Sequence, residues 1–145
     1  MPRGWLALMM LVAVATAARA DEKIRKSDLP AAVRAAVDAE TRGATVKGYG
    51  RERENGQTFY EVETVLSGRT RDLLFDANGR LVEVEEEIAV SSAPAAVKSA
   101  LESRGKLVRF EKVTRGARVT YEGVVEKKGK KTEVAVDADG KVLSK

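Results

Sequence analysis

The chain has 145 residues, with 26 Lys and Arg against 22 Asp and Glu, no cysteine and no histidine. Without cysteine it must hold together by packing and hydrogen bonds alone, whatever the redox state of its compartment. Without histidine it lacks the usual side chain for proton transfer near neutral pH and the commonest transition-metal ligand.

The N-terminus reads as a secretory signal. Arg3 gives a positive start, 6–15 is an unbroken apolar run, and Ala18 and Ala20 supply the small residues that a signal peptidase reads, so cleavage is expected after Ala20. The apolar run is about half of the roughly 20 residues a membrane span needs. An uncleaved N-terminal anchor is the alternative. No cysteine follows the run, so this is not a lipoprotein signal. From Asp21 onward the chain keeps 24 basic and 22 acidic residues, a formal charge of +2 rather than +4.

The spacing next predicts a helix over 29–41. Leu29, Val33, Ala36 and Val37 share one stripe, Ser27 or Asp28 can cap it, Pro30 sits in the first turn and Gly43 can end it. Strands follow over 45–54, 57–66, 69–76 and 80–89. In the second of them Tyr60, Val62, Thr64 and Leu66 alternate with Glu61, Glu63 and Val65. In the last, Val82, Val84 and Ile88 alternate with Glu83, Glu85 and Glu87. Period-two patterning of this kind predicts an antiparallel sheet covered on one face and wet on the other. Asn55-Gly56, Ser67-Gly68, Asn78-Gly79, Lys128-Gly129 and Asp139-Gly140 mark hairpins.

The chain then repeats this plan. Pro30 through Val33 matches Pro94 through Val97, and Val37 matches Leu101, all 64 residues apart. Tyr60-Glu61 matches Tyr121-Glu122, and Asp76-Ala77-Asn78-Gly79 matches Asp137-Ala138-Asp139-Gly140, now 61 residues apart. A second helix is therefore expected over 93–104, capped by Ser91 or Ser92, with strands over 106–115, 118–127, 130–137 and 140–144. The fold class is α+β: two tandem repeats, each a helix plus a four-stranded antiparallel sheet, with both helices on one face. The divisions are 1–20 signal peptide, 21–90 first repeat and 91–145 second repeat. Val33, Val37, Tyr60, Val62, Leu66, Val97, Leu101, Val119 and Tyr121 are the expected core.

The repeated order of LPAAV helix, FYEVE strand and FDANGRLVEVEEE hairpin resembles the PepSY-like family of domains, also described as β-lactamase-inhibitor-protein-like. The resemblance covers nearly the whole chain after residue 20, in both copies. It implies an exported tandem-repeat protein with a binding or inhibitory role and no enzymatic activity. It supplies no functional residue to carry over.

Candidate sites are few. Asp76 and Asp137 with their glycines faintly resemble calcium loops, but the glycine falls at loop position four rather than six, so hairpin turns are expected. Glu83, Glu85, Glu86 and Glu87 form the densest acidic run. Two readings stand for it: a solvated strand kept charged against aggregation, or a cation or small-ligand sensor. Lys127, Lys128, Lys130 and Lys131 straddle Gly129, either as a soluble hairpin tip or as a contact for phosphate, anionic membrane or acidic protein. Residues 21–90 carry 11 basic and 15 acidic side chains, and 91–145 carry 13 and 7, a dipole between the halves.

The serines sit at caps and turns with no histidine to activate them, so no catalytic, cofactor or metal residue is assigned. Near-balanced charge and few aromatics argue against nucleic acid. The expectation is a periplasmic or secreted, non-enzymatic module with no cofactor and no stable membrane span after cleavage. It would bind a protein partner of the envelope or outside, in a protein-binding or peptidase/β-lactamase-inhibitor-like role, through the face bearing Phe59, Glu61, Glu63, Val65 and Glu122. Phe59 is the chosen anchor.

Overall fold

The computed structural model describes residues 22–143. The signal segment, its cleavage point and the expected first residue Asp21 lie outside the described residues. β1 (Glu22–Ile24) precedes α1 (Ala31–Glu40). Then come β2 (Thr45–Glu54), β3 (Gln57–Leu66), β4 (Arg69–Asp76), β5 (Leu81–Glu87), α2 (Ala95–Glu102), β6 (Lys106–Arg115), β7 (Arg118–Lys127) and β8 (Lys130–Asp137).

The strands form one antiparallel sheet in the order β1-β2-β3-β4-β5-β6-β7-β8. This corrects the expectation of two four-stranded sheets. β5 pairs with β6, Val84 beside Thr114 and Glu87 beside Glu111, so the two halves share one ladder. A strand edge left open by each half would expose unpaired backbone groups, and joining the edges satisfies them. β1, which the alternation did not reveal because it is only three residues long, covers part of β2. At the other end, among the described residues 140–143, the expected strand shrinks to one bridge, Val142 to Val136, with Leu143 N donating to Ala135 O at 2.9 Å.

Both helices lie on the same face, as expected. Val33, Val37 and Leu29 pack with Tyr60, Val62, Leu73 and Phe75. Val97 and Leu101 pack with Leu107, Phe110, Val125, Val134 and Val136. The Phe110 and Tyr121 rings stack with centroids 5.5 Å apart. The helices start later than expected, each with proline at the N-cap position and no capping side chain. Ser27 and Asp28, and likewise Ser91 and Ser92, belong instead to short 3-10 turns just before. Of the expected core, Leu66, the last residue of β3, is 38 % exposed. Val119 and Tyr121 are half-buried.

Gly123 occupies the position 61 residues after Val62, on the helix-covered face of β7. A Cβ there would sit 2.7 Å from Leu101 Cδ1 and 2.8 Å from Leu107 Cδ1. Leu101 fills the space that a side chain fills in the first half. Gly123→Ala is expected to cost about 1–3 kcal/mol by overpacking, read as a lower midpoint in urea unfolding.

Candidate functional site: the acidic sheet face

Strand parity places a second set of side chains on the face away from the helices. β3 contributes Phe59, Glu61, Glu63 and Val65. Gly50 and Gly48 of β2 lie beside Glu61 and Glu63, and Glu52 lies beside Phe59. Asp72 of β4 joins Glu63 to Glu85 of β5. Glu87 of β5 lies beside Glu111 of β6, which lies beside Glu122 of β7. Glu133 of β8 follows one row on, beside Val124. The alternating glutamates of separate strands therefore merge into one carboxylate surface.

That surface is less wet than the alternation predicts. Glu52 is 6 %, Glu83 2 % and Glu122 9 % exposed, and Leu74 and Val113 on the same face are buried. Two arginines lie across it. Arg115 Nε donates to Glu83 Oε2 at 2.9 Å, and its Nη2 lies 3.9 Å from Glu54 Oε2. Arg109 pairs with Glu111, sits 3.8 Å from Glu87 Oε2, and donates to Thr70 Oγ1 at 3.2 Å.

The guanidiniums do not neutralise the centre. Glu85, Glu111 and Glu122 each bring a carboxylate oxygen within 4.8 Å of the others. Burial pushes the Glu85 carboxyl up to about 10, helped by a hydrogen bond shared with Glu111 and by the charges of Glu111, Glu122 and Asp72. Burial likewise pushes Glu122 up to about 8, with Glu133 and Glu111 adding repulsion. Asp72 rises to about 6 through burial and despite accepting a hydrogen bond from Thr64 N. Near neutral pH Glu85 and Glu122 hold their protons while Asp72 is mostly ionised, because the site lacks enough positive charge to keep all three ionised. A shallow depression beside them is lined by Glu52, Glu61, Asp72, Leu74, Glu83 and Glu85.

The five residues singled out from sequence thus share one face with the acidic strand of the rival reading. Phe59 lies between Glu52 and Asp76, half-buried and away from the helices. Asp72, Arg109, Glu111 and Glu133 were not singled out. The repeat carried a signal for some of them: Glu61 matches Glu122 and Asp72 matches Glu133 at the 61-residue offset. The Asp76 and Asp137 turns are structural. Each carboxylate accepts hydrogen bonds from two backbone amides, Asn78 N and Arg80 N in one, Asp139 N and Lys141 N in the other, at 2.9–3.0 Å.

No protein-family profile matches the chain, and no characterised protein matches it in sequence. Solved structures do. A BLIP-like protein from Bacteroides fragilis NCTC 9343 is 22% identical with a TM-score of 0.56, over 80% of this chain and 84% of that one. A protein from Bacteroides eggerthii DSM 20697, described as a candidate periplasmic protein, is 18% identical with a TM-score of 0.65, over 80% and 86%. A DUF2874 family protein from Bacteroides ovatus ATCC 8483 is 15% identical with a TM-score of 0.61, over 80% and 85%. The chain therefore has a BLIP-like fold. At these identities the likeness concerns the fold alone.

Proposed function

We propose that this chain is an exported, non-enzymatic binding module whose acidic sheet face receives a cationic segment of a protein partner, in the periplasm or outside the cell. The observation that carries this reading is the excess of carboxylates over guanidiniums on one continuous face. Buried carboxylates left short of counter-charge favour any partner that brings lysine or arginine. Phe59 at the rim supplies an apolar anchor beside them, the combination typical of interface hot spots.

A second reading rests on the Glu85, Glu111 and Glu122 group. Three carboxylates offer up to six oxygens, within the range of ligand number that calcium takes. On this reading the face is a cation sensor and the strand over 83–87 belongs to it.

Two measurements separate them. For the protein-partner reading, Phe59→Ala is expected to leave the melting temperature within about 2 °C, because the ring is half-exposed and outside the helix-covered core. It should weaken capture of a partner from the envelope fraction about tenfold, as loss of a hot spot does. For the cation reading, added calcium should raise the melting temperature by several degrees, and Glu111→Gln should abolish that rise. Calcium stabilisation without any captured protein overturns the first reading and leaves the second.

A further inference from the structure

We propose that the end of the molecule bearing the β3–β4 and β7–β8 hairpins docks on an anionic lipid bilayer surface. Antiparallel register brings both hairpins, and the starts of β2 and β6, to the same end of the strands as the C-termini of the helices. Among the described residues two large apolar side chains are exposed, Leu66 at 38 % and Val108 at 40 %, and both are on this end. Around them stand Lys47, Arg69 and Lys106, with the lysine pairs 127/128 and 130/131, all exposed. Just inside this end Arg71 and Arg109 are in ion pairs, with Glu40 and Glu86 and with Glu87 and Glu111. Lys47, Arg69, Lys106 and the two lysine pairs are in none among the described residues, a state they share with Arg53, Arg80 and Arg118 of the opposite end, which have no exposed large aliphatic among them.

Lysine on a hairpin tip or sheet edge is commonly a guard against edge-to-edge pairing. That role does not call for exposed aliphatics on the same end. The two halves also preserve the combination while exchanging its positions. In the first half the β-bulge of β2 falls at Lys47 and the tip residue is Leu66. In the second the bulge of β6 falls at Val108 and the corresponding tip residue is Lys127. Each half therefore offers one aliphatic and a set of cations to the same end of the strands.

The two tips lie four strands apart, about 19 Å at the usual ~4.8 Å strand spacing. Projecting tips so separated fit a broad, yielding surface better than a pocket. Basic side chains over lipid phosphates, with short aliphatics entering the headgroup layer, are the ingredients of interfacial binding. The acidic face runs along the strands rather than across their tips, so it stays available, and its repulsion from an anionic bilayer would orient the molecule.

The test is co-sedimentation of the chain from residue 21 onward, which lacks the apolar run of 6–15, with vesicles of phosphatidylethanolamine and phosphatidylglycerol, against vesicles of phosphatidylcholine. The expected result is binding to the anionic vesicles only, reduced about tenfold by K128E/K130E/K131E and strongly reduced by raised salt. Leu66→Ser with Val108→Ser should reduce it severalfold. Should the triple variant fail to fold by circular dichroism, Lys47→Glu with Arg69→Glu on the other hairpin carries the same expectation. Absence of binding, equal binding to phosphatidylcholine, or binding indifferent to these substitutions overturns the proposal. So does a salt-sensitive self-association without vesicles, which would assign the basic end to the acidic face of a second copy.

Discussion

Gly79→Ala and Gly140→Ala are each expected to lower the melting temperature by about 10 °C or more. Both glycines have φ of +83°, and a Cβ on either would stand 2.5 Å from a backbone oxygen, that of Ala32 or Ala96. Two costs combine. An alanine at positive φ is strained by roughly 1 kcal/mol. The overlap is with helix backbone, which cannot rotate away as a side chain can, so α1 or α2 must lift from the sheet. Lifting uncovers Val33 or Val97, both fully buried. A total of about 2–4 kcal/mol is expected for each, measured by thermal or urea unfolding. Asn78→Ala in the same turn is the control, since that turn is held by the Asp76 carboxylate and the backbone amides. A Gly79→Ala melting curve that overlays the Asn78→Ala curve would show that helix and turn do not bear on each other.

These close approaches explain why the repeated Asp-Ala-Asn-Gly and Asp-Ala-Asp-Gly segments are legible as turns but not as helix seats. A sequence shows that glycine permits a turn; it does not show what lies above the glycine. Local chemistry made most of the fold readable. Alternation in β3 fixed which side of the strand Tyr60 and Val62 occupy, and the Asn-Gly, Ser-Gly and Lys-Gly pairs fixed the hairpins. What was not readable depends on distant pairing. β1 is too short to show alternation, and it is a strand because β2 offers an edge. Leu66 continues the apolar parity of β3, yet it is the last residue of the strand and is exposed.

The acidic site follows the same division. Parity alone set Phe59, Glu61 and Glu63 together, and the repeat added Glu122. Their neighbours come from the β5–β6 junction, where no hairpin sets the register. Whether Glu87 meets Glu111 or a residue two positions away is decided by how the two helix-covered cores sit side by side. The consequence is chemical: that register brings the Glu85 carboxylate onto those of Glu111 and Glu122 and makes the charge excess local rather than spread.

Stability is accordingly expected to fall as pH rises from about 5 to 9. Asp72, Glu122 and Glu85 have ordinary values of 3.8, 4.5 and 4.5, and the fold raises them to about 6, about 8 and about 10. A carboxyl raised by folding binds its proton more tightly in the native state than in the unfolded one. Its contribution is complete below its unfolded pKa and is lost progressively as pH rises through the folded value. The loss therefore begins near pH 4, passes through Asp72 at about 6 and Glu122 at about 8, and is last felt at Glu85. These three groups are coupled through Glu111 and also face Glu63, Glu83, Glu133 and Arg109, so one broad slope is expected rather than three steps. After allowance for solvent screening the total between pH 5 and 9 should be about 1–3 kcal/mol. Glu85→Gln, which keeps the shape of the protonated acid and removes its charge, should raise the melting temperature at pH 8, flatten the slope, and change little at pH 4.5. A bound cation would act in the opposite sense to the proton, so calcium, on the sensor reading, should stabilise at pH 8 and do nothing at pH 5. If urea midpoints instead rise between pH 5 and 8, the carboxylates of this face are ionised and matched by cations in the native state, and the charge excess on which the proposed binding role depends is absent.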